Sequence, residues 1–487
     1  MKTPISRRIF FWILFVSYFV TTASVLFFVF GYRHDFAQKI FVHTGSITVK
    51  ANPKTISVYV DDRAPQSKLI NVINDSYYIS GIRPKTHTLK VSAEGFRTWE
   101  KSAIVHSGLS TEFWNITLLR NAYEPTSYAI SDIDQFFPAP DENLFACSKQ
   151  IGKVQTVHIF DAKKDETTNT FLFMQKKFTA NTRENIEWSP NSHELIIPLE
   201  DIENSSNKDY AIAYSKTNDS FLLSEKISLG QLQSVRWDPK DRNALFFLAQ
   251  NKLWRAQIDD ENTVVPEIVA DRVLAYDFTD DGLYVFTNEY AVLHDRDING
   301  KNLEQITAFD ILQGATSIRL DAYDTHRIAV LDDTNKTVYI YNKGERNIYN
   351  KKIGSDIIGA NFSDDGKKLL FYSPFEIFVY FTRDWDAQPV RQEDDAHSIV
   401  RFSQFINNVH FAKDYEHVIF TINNDIKITE LDYRGSRITD TIISLNEKET
   451  KVIDKQKMDR LYFIDSYDTV RRGLRSIEFP EKESLIF

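Results

Sequence analysis

The chain has 487 residues, which is too long for one ordinary core and predicts two to four domains, or one large repeat array with a smaller companion. Aromatic residues make up 13% of the chain, as is typical of strands, and glycine and proline are too sparse for a low-complexity or disordered protein. Cys147 is the single cysteine, which excludes an intrachain disulfide. Its apolar neighbours at 144–146 predict a small buried hydrophobe rather than a nucleophile.

Charge is unevenly spread along the chain. Residues 1–40 and 41–120 each carry a net charge of +4, whereas residues 121–487 carry −18. An acidic region of this size argues against nucleic acid as a partner. The small basic segment predicts a solvated surface near the membrane, with contact to anionic lipid or a cell-envelope polymer as the alternative.

The N-terminal segment predicts one transmembrane helix. Residues 9–30 contain no charged side chain, and a helix of that length spans the ~30 Å hydrocarbon core of a bilayer. Lys2, Arg7 and Arg8 precede the span. Their charge favours a cytoplasmic N-terminus, residues 1–8, and translocation of everything that follows.

The alternative is a signal peptide cleaved near residues 22–24. The apolar run continues through Phe30, past that point, so an uncleaved anchor in the cell membrane is preferred. Because only residues 1–8 remain inside, the working parts must lie outside the cytoplasm. They begin after a juxtamembrane linker at 31–44.

Residues 45–120 show the alternation of strands. Ile47 and Val49, then Val58 and Val60, fall on one face with a period of two residues. Polar turns separate these runs. The region is therefore predicted to be a small β-domain.

Three stretches of this region, GSITVKANPKTISVYVDD, GIRPKTHTLKVSAEGFRTWEK and FWNITLL, resemble the PEGA family of small surface β-domains in order and spacing. The resemblance implies a PEGA-like β-sandwich that serves as a membrane-proximal spacer and not as an enzyme. Two features depart from the family pattern. The turn at 61–63 lacks the usual glycine, and the name-giving tetrapeptide appears only as AEGF at 93–96.

Residues 121–487 contain an internal repeat in which an apolar or aromatic residue precedes a polar turn and a hydrophobic strand. The eight anchor residues are Phe137, Trp188, Trp237, Phe278, Leu320, Phe362, Phe411 and Ile453. Steps of 41 to 51 residues between anchors, with several strands in each unit, predict a β-propeller.

The segments FSDDGKKLLF, VLHDRDINGKNLEQIT and ITELDYRGS resemble the propeller repeats of TolB and its relatives. The resemblance extends over about 125–487 and implies a TolB-like β-propeller. Eight blades are favoured, and seven remain an alternative if the first and last units share one blade. The predicted fold class is thus an all-β ectodomain with one N-terminal transmembrane helix, made of a small β-sandwich and a β-propeller.

One motif imitates a calcium loop. Asp295, Asp297, Asn299 and Gly300 match the start of such a loop, but Ile306 occupies the position that needs a bidentate glutamate. An outer hairpin turn of the propeller repeat explains the same residues and is the preferred interpretation.

The sequence predicts no catalytic residue, no cofactor and no metal site. It contains no nucleophile elbow, phosphate-binding glycine loop or zinc-protease helix motif. The acidic pairs Asp332-Asp333 and Asp394-Asp395 are predicted to be solvated turn residues rather than a catalytic carboxylate pair. The tryptophans at 188 and 237 are predicted to pack in the core rather than to stack on sugars.

Three functional hypotheses follow. The first is a membrane-anchored cell-surface binding or scaffold protein, in which the propeller presents an interaction face to a protein partner or a cell-envelope polymer. The second is an envelope polysaccharide-acting enzyme with its site in the propeller channel, since propellers support both roles. The third is a subunit of an envelope assembly or export complex.

Overall fold

The computed structural model describes residues 5–35, 40–65, 68–71, 73–140, 143–179, 185–258, 263–448, 450–466 and 472–480. Lys2 and the predicted N-terminal residues 1–4 lie outside the described residues, as do residues 481–487 of the predicted propeller.

The single long helix of the described chain, α1, comprises Ile5–Val29. From Arg7 onward it is long and apolar enough to cross a membrane, either as an anchor or as a signal sequence. From Arg7 onward its side chains are exposed, as expected of a helix whose apolar surface none of the described elements covers.

The predicted linker at 31–44 contains a β-hairpin, which the sequence analysis did not identify. Its strands are β1, Tyr32–Asp35, and β2, Ile40–His43. Immediately after it, Thr44 donates its backbone N–H to the carbonyl of Gly31 at 2.9 Å. The end of the helix is thereby held against the start of the next domain.

The region 45–120 folds as two facing sheets. Its strands are β3 Gly45–Asn52, β4 Ser57–Val60, β5 Lys68–Asn71, β6 Ser76–Ile82, β7 Thr86–Ser92, β8 Trp99–Ile104 and β9 Ser110–Thr117. One sheet has the order β5-β6-β3-β9 and the other β4-β7-β8. The alternating residues predicted to share a face, such as Ile47, Val49 and Val58, are buried in one core between the sheets.

Two features of the sandwich were not predicted. Strand β5 is a fully exposed edge strand with no alternating pattern. At the other edge of the same sheet, β9 pairs with β3 in parallel, so the last strand of the sandwich runs beside the first. The outer edge of β9 therefore faces away from the sandwich.

The remaining strands form eight antiparallel sheets within the described residues. In chain order the strands are β10 Thr126–Ser131, β11 Gln135–Pro138, β12 Leu144–Ile151, β13 Val154–Asp161, β14 Glu166–Met174, β15 Lys176–Phe178, β16 Glu187–Trp188, β17 Glu194–Asp201, β18 Lys208–Tyr214, β19 Ser220–Leu222, β20 Gln233–Trp237, β21 Ala244–Ala249, β22 Lys252–Ile258, β23 Val264–Asp271, β24 Val273–Thr279, β25 Gly282–Thr287, β26 Ala291–Asp295, β27 Glu304–Ala308, β28 Ile318–Asp324, β29 Arg327–Asp332, β30 Thr337–Asn342, β31 Ile348–Ser355, β32 Gly359–Phe362, β33 Lys368–Tyr372, β34 Glu376–Phe381, β35 Ala396–Arg401, β36 Ile406–Phe411, β37 His417–Ile422, β38 Asp425–Glu430, β39 Thr439–Ser444, β40 Val452–Lys455, β41 Arg460–Ser466 and β42 Arg472–Glu478. Three short 3₁₀ turns lie between them, Leu223–Glu225, Asp310–Leu312 and Gln456–Met458.

Seven of the eight sheets are meanders of four strands, and in the second sheet both β15 and β16 pair with β17, which is followed by β18 and β19. The first seven sheets are β11–β14, β15–β19, β20–β23, β24–β27, β28–β31, β32–β35 and β36–β39. The eighth combines β40, β41 and β42 from the end of the chain with β10 from its beginning. The last sheet therefore depends on a strand supplied from the start of the same region, a common way for a β-propeller to join its termini.

Apolar side chains fill the space between successive sheets. A separate cluster of buried residues joins each sheet to the next, from the first to the eighth. A further cluster, which contains Phe136, Phe145 and Tyr462, joins the eighth sheet back to the first. No sheet covers both of its own faces, so burial of these faces requires the whole array.

The first strand of each sheet lies toward the centre. In the second sheet β16 takes this position: Trp188 donates its indole N–H to the carbonyl of Phe137 on β11, and Trp237 on β20 donates its indole N–H to the carbonyl of Glu187, so β16 contacts both neighbouring first strands. The fourth strands carry exposed side chains, such as Leu172 and Val265.

Strand pairing shows that three of the eight predicted anchor residues do not occupy the same position as the other five. Trp188 pairs with Leu195 on the neighbouring strand, and Trp237, Phe278, Phe362 and Phe411 make the equivalent pairing. In the other three sheets the equivalent residues are Pro138, Ala322 and Asp454, not Phe137, Leu320 and Ile453. The prediction was wrong there because it searched for a large apolar residue where the chain has a small or charged one.

Candidate binding site between the sandwich and the propeller

A buried ion pair fixes the sandwich to the seventh sheet. The Lys101 ammonium on β8 lies 2.5 Å from a carboxylate oxygen of Glu430 and donates to the carbonyl of Asp432 at 2.8 Å. The Lys101 side chain is fully buried. Removing two charges from water is costly unless they are paired and hydrogen-bonded, so this contact demands one docking geometry.

A second contact caps part of the β9 edge. Gln388 accepts the backbone N–H of Glu112 at 3.0 Å and donates its side-chain amide to the carbonyl of Ser110 at 2.8 Å. The side-chain amide of Gln388 thereby makes two of the hydrogen bonds that the backbone of a neighbouring strand would make. Arg434 donates to the carbonyl of Glu112 and lies 4.4 Å from the centre of the Phe113 ring.

Gly435 lies where the backbone of the propeller comes close to that of the sandwich. Its φ is +66°, and a Cβ there would meet the carbonyl oxygen of Ser102 at 2.2 Å. Glycine is required both for the left-handed backbone and for the space. The interface is therefore close-packed at the backbone level and not bridged only by long side chains.

Charged side chains also lie beneath the sandwich. Glu416 accepts from Lys368 and Arg391, both with almost fully buried side chains. Burial alone lowers the pKa of His417, but the carboxylate of Asp414, 2.7 Å away, raises it above its usual value. Burial alone raises the pKa of Asp414, and the charge and hydrogen bond of His417 hold it below its usual value.

A cleft of about 530 Å³ opens beside this interface. On the sandwich side it is lined by the end of β3 and by Trp114, Asn115 and Thr117 of β9. On the propeller side it is lined by the turn at 412–414 and by Phe479, with charged groups at its edge. Both domains are needed to form it.

The chemistry of the cleft suits an extended chain. The β9 segment that lines it follows the segment capped by Gln388, and β9 is the last strand of its sheet. Edge strands offer backbone N–H and C=O groups to a further strand. Apolar side chains of Ile116 and Phe479 lie beside charged groups of Lys413 and Asp459, themselves paired at 2.7 Å.

A second group of charged side chains lies on the first strands near the propeller centre. Arg236 is 2.8 Å from Asp277 and 3.6 Å from Glu187 on the neighbouring strands. Burial raises the pKa of Glu187 above its usual value. Burial and the nearby charge of Asp277 raise the pKa of Asp321 to about 8. No sequence motif indicates this group, because its members are about 40 to 50 residues apart and meet only through the repeat geometry.

The residues that imitate a calcium loop form a hairpin turn, which is the interpretation preferred from the sequence. Asp295 is buried, and its carboxylate accepts the backbone N–H groups of Asp297 and Gly300 at 2.9 and 2.7 Å. These are the bonds of a side chain that closes a hairpin turn.

The acidic pairs lie at turns, with Asp332 as the last residue of β29, but the prediction that they are solvated was wrong for Asp332. That side chain is buried and accepts the backbone N–H groups of Thr334 and Asn335. Asp333 pairs with Arg319, and Asp394 pairs with Lys351 at 2.7 Å. Both pairs therefore stabilise turns and strand contacts.

The remaining predictions for single residues hold. Trp188 and Trp237 are buried between sheets. Cys147 is fully buried, and burial raises the pKa of its thiol. An inert thiol of this kind is a packing residue.

No protein-family model and no curated protein matches the chain. Among solved structures, it is similar to the C-terminal WD40 domain of Sif2 (12% identity, 73% of this chain and 99% of that one, TM-score 0.46). It is also similar to a eukaryotic initiation factor (13%, 74% and 91%, TM-score 0.44) and to the β-propeller domain of Cps50 (Swd1) from Myceliophteria thermophila (13%, 73% and 99%, TM-score 0.41). At these scores the propeller assignment rests on the sheet order of this chain itself.

Proposed function

We propose that the chain is a membrane-anchored binding protein of the cell surface, whose sandwich and propeller together hold an extended polypeptide segment of a protein partner. The cleft of about 530 Å³ beside the β9 edge carries the proposal, because an edge strand next to apolar side chains is how many domains bind extended peptides. In this proposal the PEGA-like domain is part of the binding site as well as a spacer.

Two further elements of the proposal concern architecture. The eight sheets are eight TolB-like blades, with β10 completing the eighth. The helix α1 is retained as an anchor with the short N-terminus in the cytoplasm. Support comes from the uncharged stretch of the helix at 9–29 and from the hairpin that ties its end to the sandwich.

The proposal gives the chain no catalytic role. Arg236 near the propeller centre is paired with Asp277, and such mutual pairing favours a structural role for these groups. No observation specifically favours the polysaccharide-acting enzyme, so that hypothesis enters only as an outcome of the test.

The test is a quantitative pull-down of the full-length protein from detergent extracts of its native membrane. Asn115 is exposed in the cleft, and Asn115→Trp is expected to fill it without disturbing a core. The matched control is Asn302→Trp, at an exposed asparagine of the loop between β26 and β27.

The expected result is one protein partner that the wild type and Asn302→Trp recover equally and Asn115→Trp recovers at least about tenfold less. Equal recovery by all three proteins would reject the cleft as the site. Recovery of envelope polysaccharide without a protein partner would favour the enzyme or glycan-binding alternative.

A further inference from the structure

A second cavity, separate from the cleft, lies between the first strands of the sixth, seventh and eighth sheets. It has a volume of about 310 Å³, and we call it the recess. Its lining includes Asn361, His410, Asp454 and the aromatic side chains of Phe362, Phe411 and Tyr415. Neither lysine nor arginine lines it.

The pairing of β40 with β41 explains why the recess exists. Asp454 occupies the position where five other sheets have a tryptophan or phenylalanine that packs against the preceding sheet. An aspartate is much smaller than these rings, so the interface between the seventh and eighth sheets is left unfilled there. The substitution also puts a carboxyl group where the other sheets bury hydrocarbon.

Two side chains of the recess have polar atoms without partners in the described structure. Both carboxyl oxygens of Asp454 and Nε2 of His410 are buried without a hydrogen bond. His410 Nδ1 lies 2.8 Å from the carbonyl of Asn408, so this nitrogen carries the proton and Nε2 is an acceptor. Burial lowers the pKa of His410 to about 4 and raises that of Asp454 to about 7.

When Asp454 is ionised, its two carboxylate oxygens and His410 Nε2 are three buried acceptor atoms without donors, which calls for a ligand that is rich in N–H donors. No group of three or more metal-binding side chains exists in the described part of the chain, which disfavours a metal ion. The aromatic rings of the recess favour a positive charge near their faces.

From this arrangement we propose that the recess binds a compact organic cation, an alkylammonium or guanidinium group. Asp454 and His410 accept its N–H donors, and the aromatic side chains surround its hydrocarbon part. The free molecule or a basic side chain of a partner supplies the same chemistry. The proposal does not depend on the cleft.

The experiment is isothermal titration of the full-length protein in detergent micelles with n-butylammonium and with agmatine. Butan-1-ol is the neutral isostere and ZnCl₂ the metal control. Saturable binding of at least one organic cation is expected, weakened about tenfold or more by Asp454→Asn. Asp321→Asn is the matched control, because Asp321 also has a buried unpaired oxygen but lies on the fifth sheet.

Asp454→Asn removes the buried carboxylate with almost no change in side-chain size, so it should fold, and His410→Phe provides a second variant that removes the Nε2 acceptor together with the Nδ1–H that donates to the carbonyl of Asn408. The proposal would be overturned if neither cation bound saturably. It would also be overturned if Asp454→Asn and the wild type bound the cations with equal affinity. Equal affinity for butan-1-ol, or binding of zinc alone, would also overturn it.

Discussion

The interfaces between propeller sheets and the interface between propeller and sandwich are built in opposite ways. Each pair of neighbouring sheets shares a cluster of apolar side chains, such as Ile419, Leu461 and Phe463 between the seventh and eighth sheets. The sandwich is held mainly by polar contacts of Lys101, Glu430 and Gln388, with Ile438 as an apolar contact to its core. Apolar clusters tolerate small shifts, whereas buried ion pairs demand one geometry. The first interface keeps the propeller folded, and the second aligns two domains around a cleft.

The largest expected effect comes from breaking an apolar interface. Phe463→Ala should lower the free energy of unfolding of the propeller by about 3–5 kcal/mol, because it removes a fully buried ring and leaves a cavity. Chemical denaturation followed by tryptophan fluorescence measures it. A loss below about 1 kcal/mol would contradict the role given to these clusters.

Breaking the polar interface should have a different signature. Lys101→Ala leaves the Glu430 carboxylate buried without its partner, at a cost of about 3–5 kcal/mol. The sandwich should undock before the propeller unfolds, and hydrogen exchange should rise in β8 and in 431–438 but not in distant sheets.

The matched control is Lys101→Met with Glu430→Gln. The glutamine removes the charge and keeps an oxygen for the N–H of Ile438, which Glu430 now accepts. This double variant should recover most of the stability that Lys101→Ala loses. If both variants were equally unstable, the ion pair would not be the cause.

Gly435→Ala should cost about 2 kcal/mol, because alanine is strained at a φ of +66° and its Cβ would meet the carbonyl of Ser102. Limited proteolysis of the region between the domains is the measurement. Gly152→Ala is the control, since its φ is also positive but nothing lies near its Cβ. Equal sensitivity of the two variants would mean that the interface does not depend on close backbone packing.

The smallest expected effect is a pH dependence of the free energy of unfolding that comes from His417 and Asp414. The raised pKa of His417 gives stability that is complete below its ordinary value of 6.5 and is lost as the pH rises through the folded-state value. The lowered pKa of Asp414 gives stability that is present above 3.8 and is lost in acid. Glu416 and Glu430 also face His417 and raise its pKa.

Thermal melts from about pH 6 to pH 9 test this dependence. The wild type should lose more stability over that range than His417→Gln, in which this position does not titrate. Parallel losses in both proteins would remove His417 from the explanation.

Local sequence patterns predicted those strands whose burial follows from the residues of the strand itself. The alternation around Ile47 and Val58 and the anchors at Trp188 and Trp237 correctly indicated strands and cores. Alternation of apolar and polar residues did not predict β5, because this alternation arises only when one face of a strand is buried, and β5 is exposed on both faces.

The predicted anchors failed where a sheet departs from its own repeat, as at Asp454. The candidate binding site was beyond prediction for a different reason. Lys101 and Glu430 are 329 positions apart, and nothing in either neighbourhood indicates that they meet. Gln388 imitates a strand only because the fold brings its side chain to the β9 edge.

The most direct test of the account is photo-crosslinking of the full-length protein in its native membrane. A photoreactive residue replaces Asn115 in the cleft or, as a control, the exposed Leu172 on the outer strand β14. A single partner protein crosslinked from position 115 and absent from position 172 is the predicted result. Crosslinks to a partner from 172 alone, or from both positions equally, would contradict the claim that the cleft is the binding site.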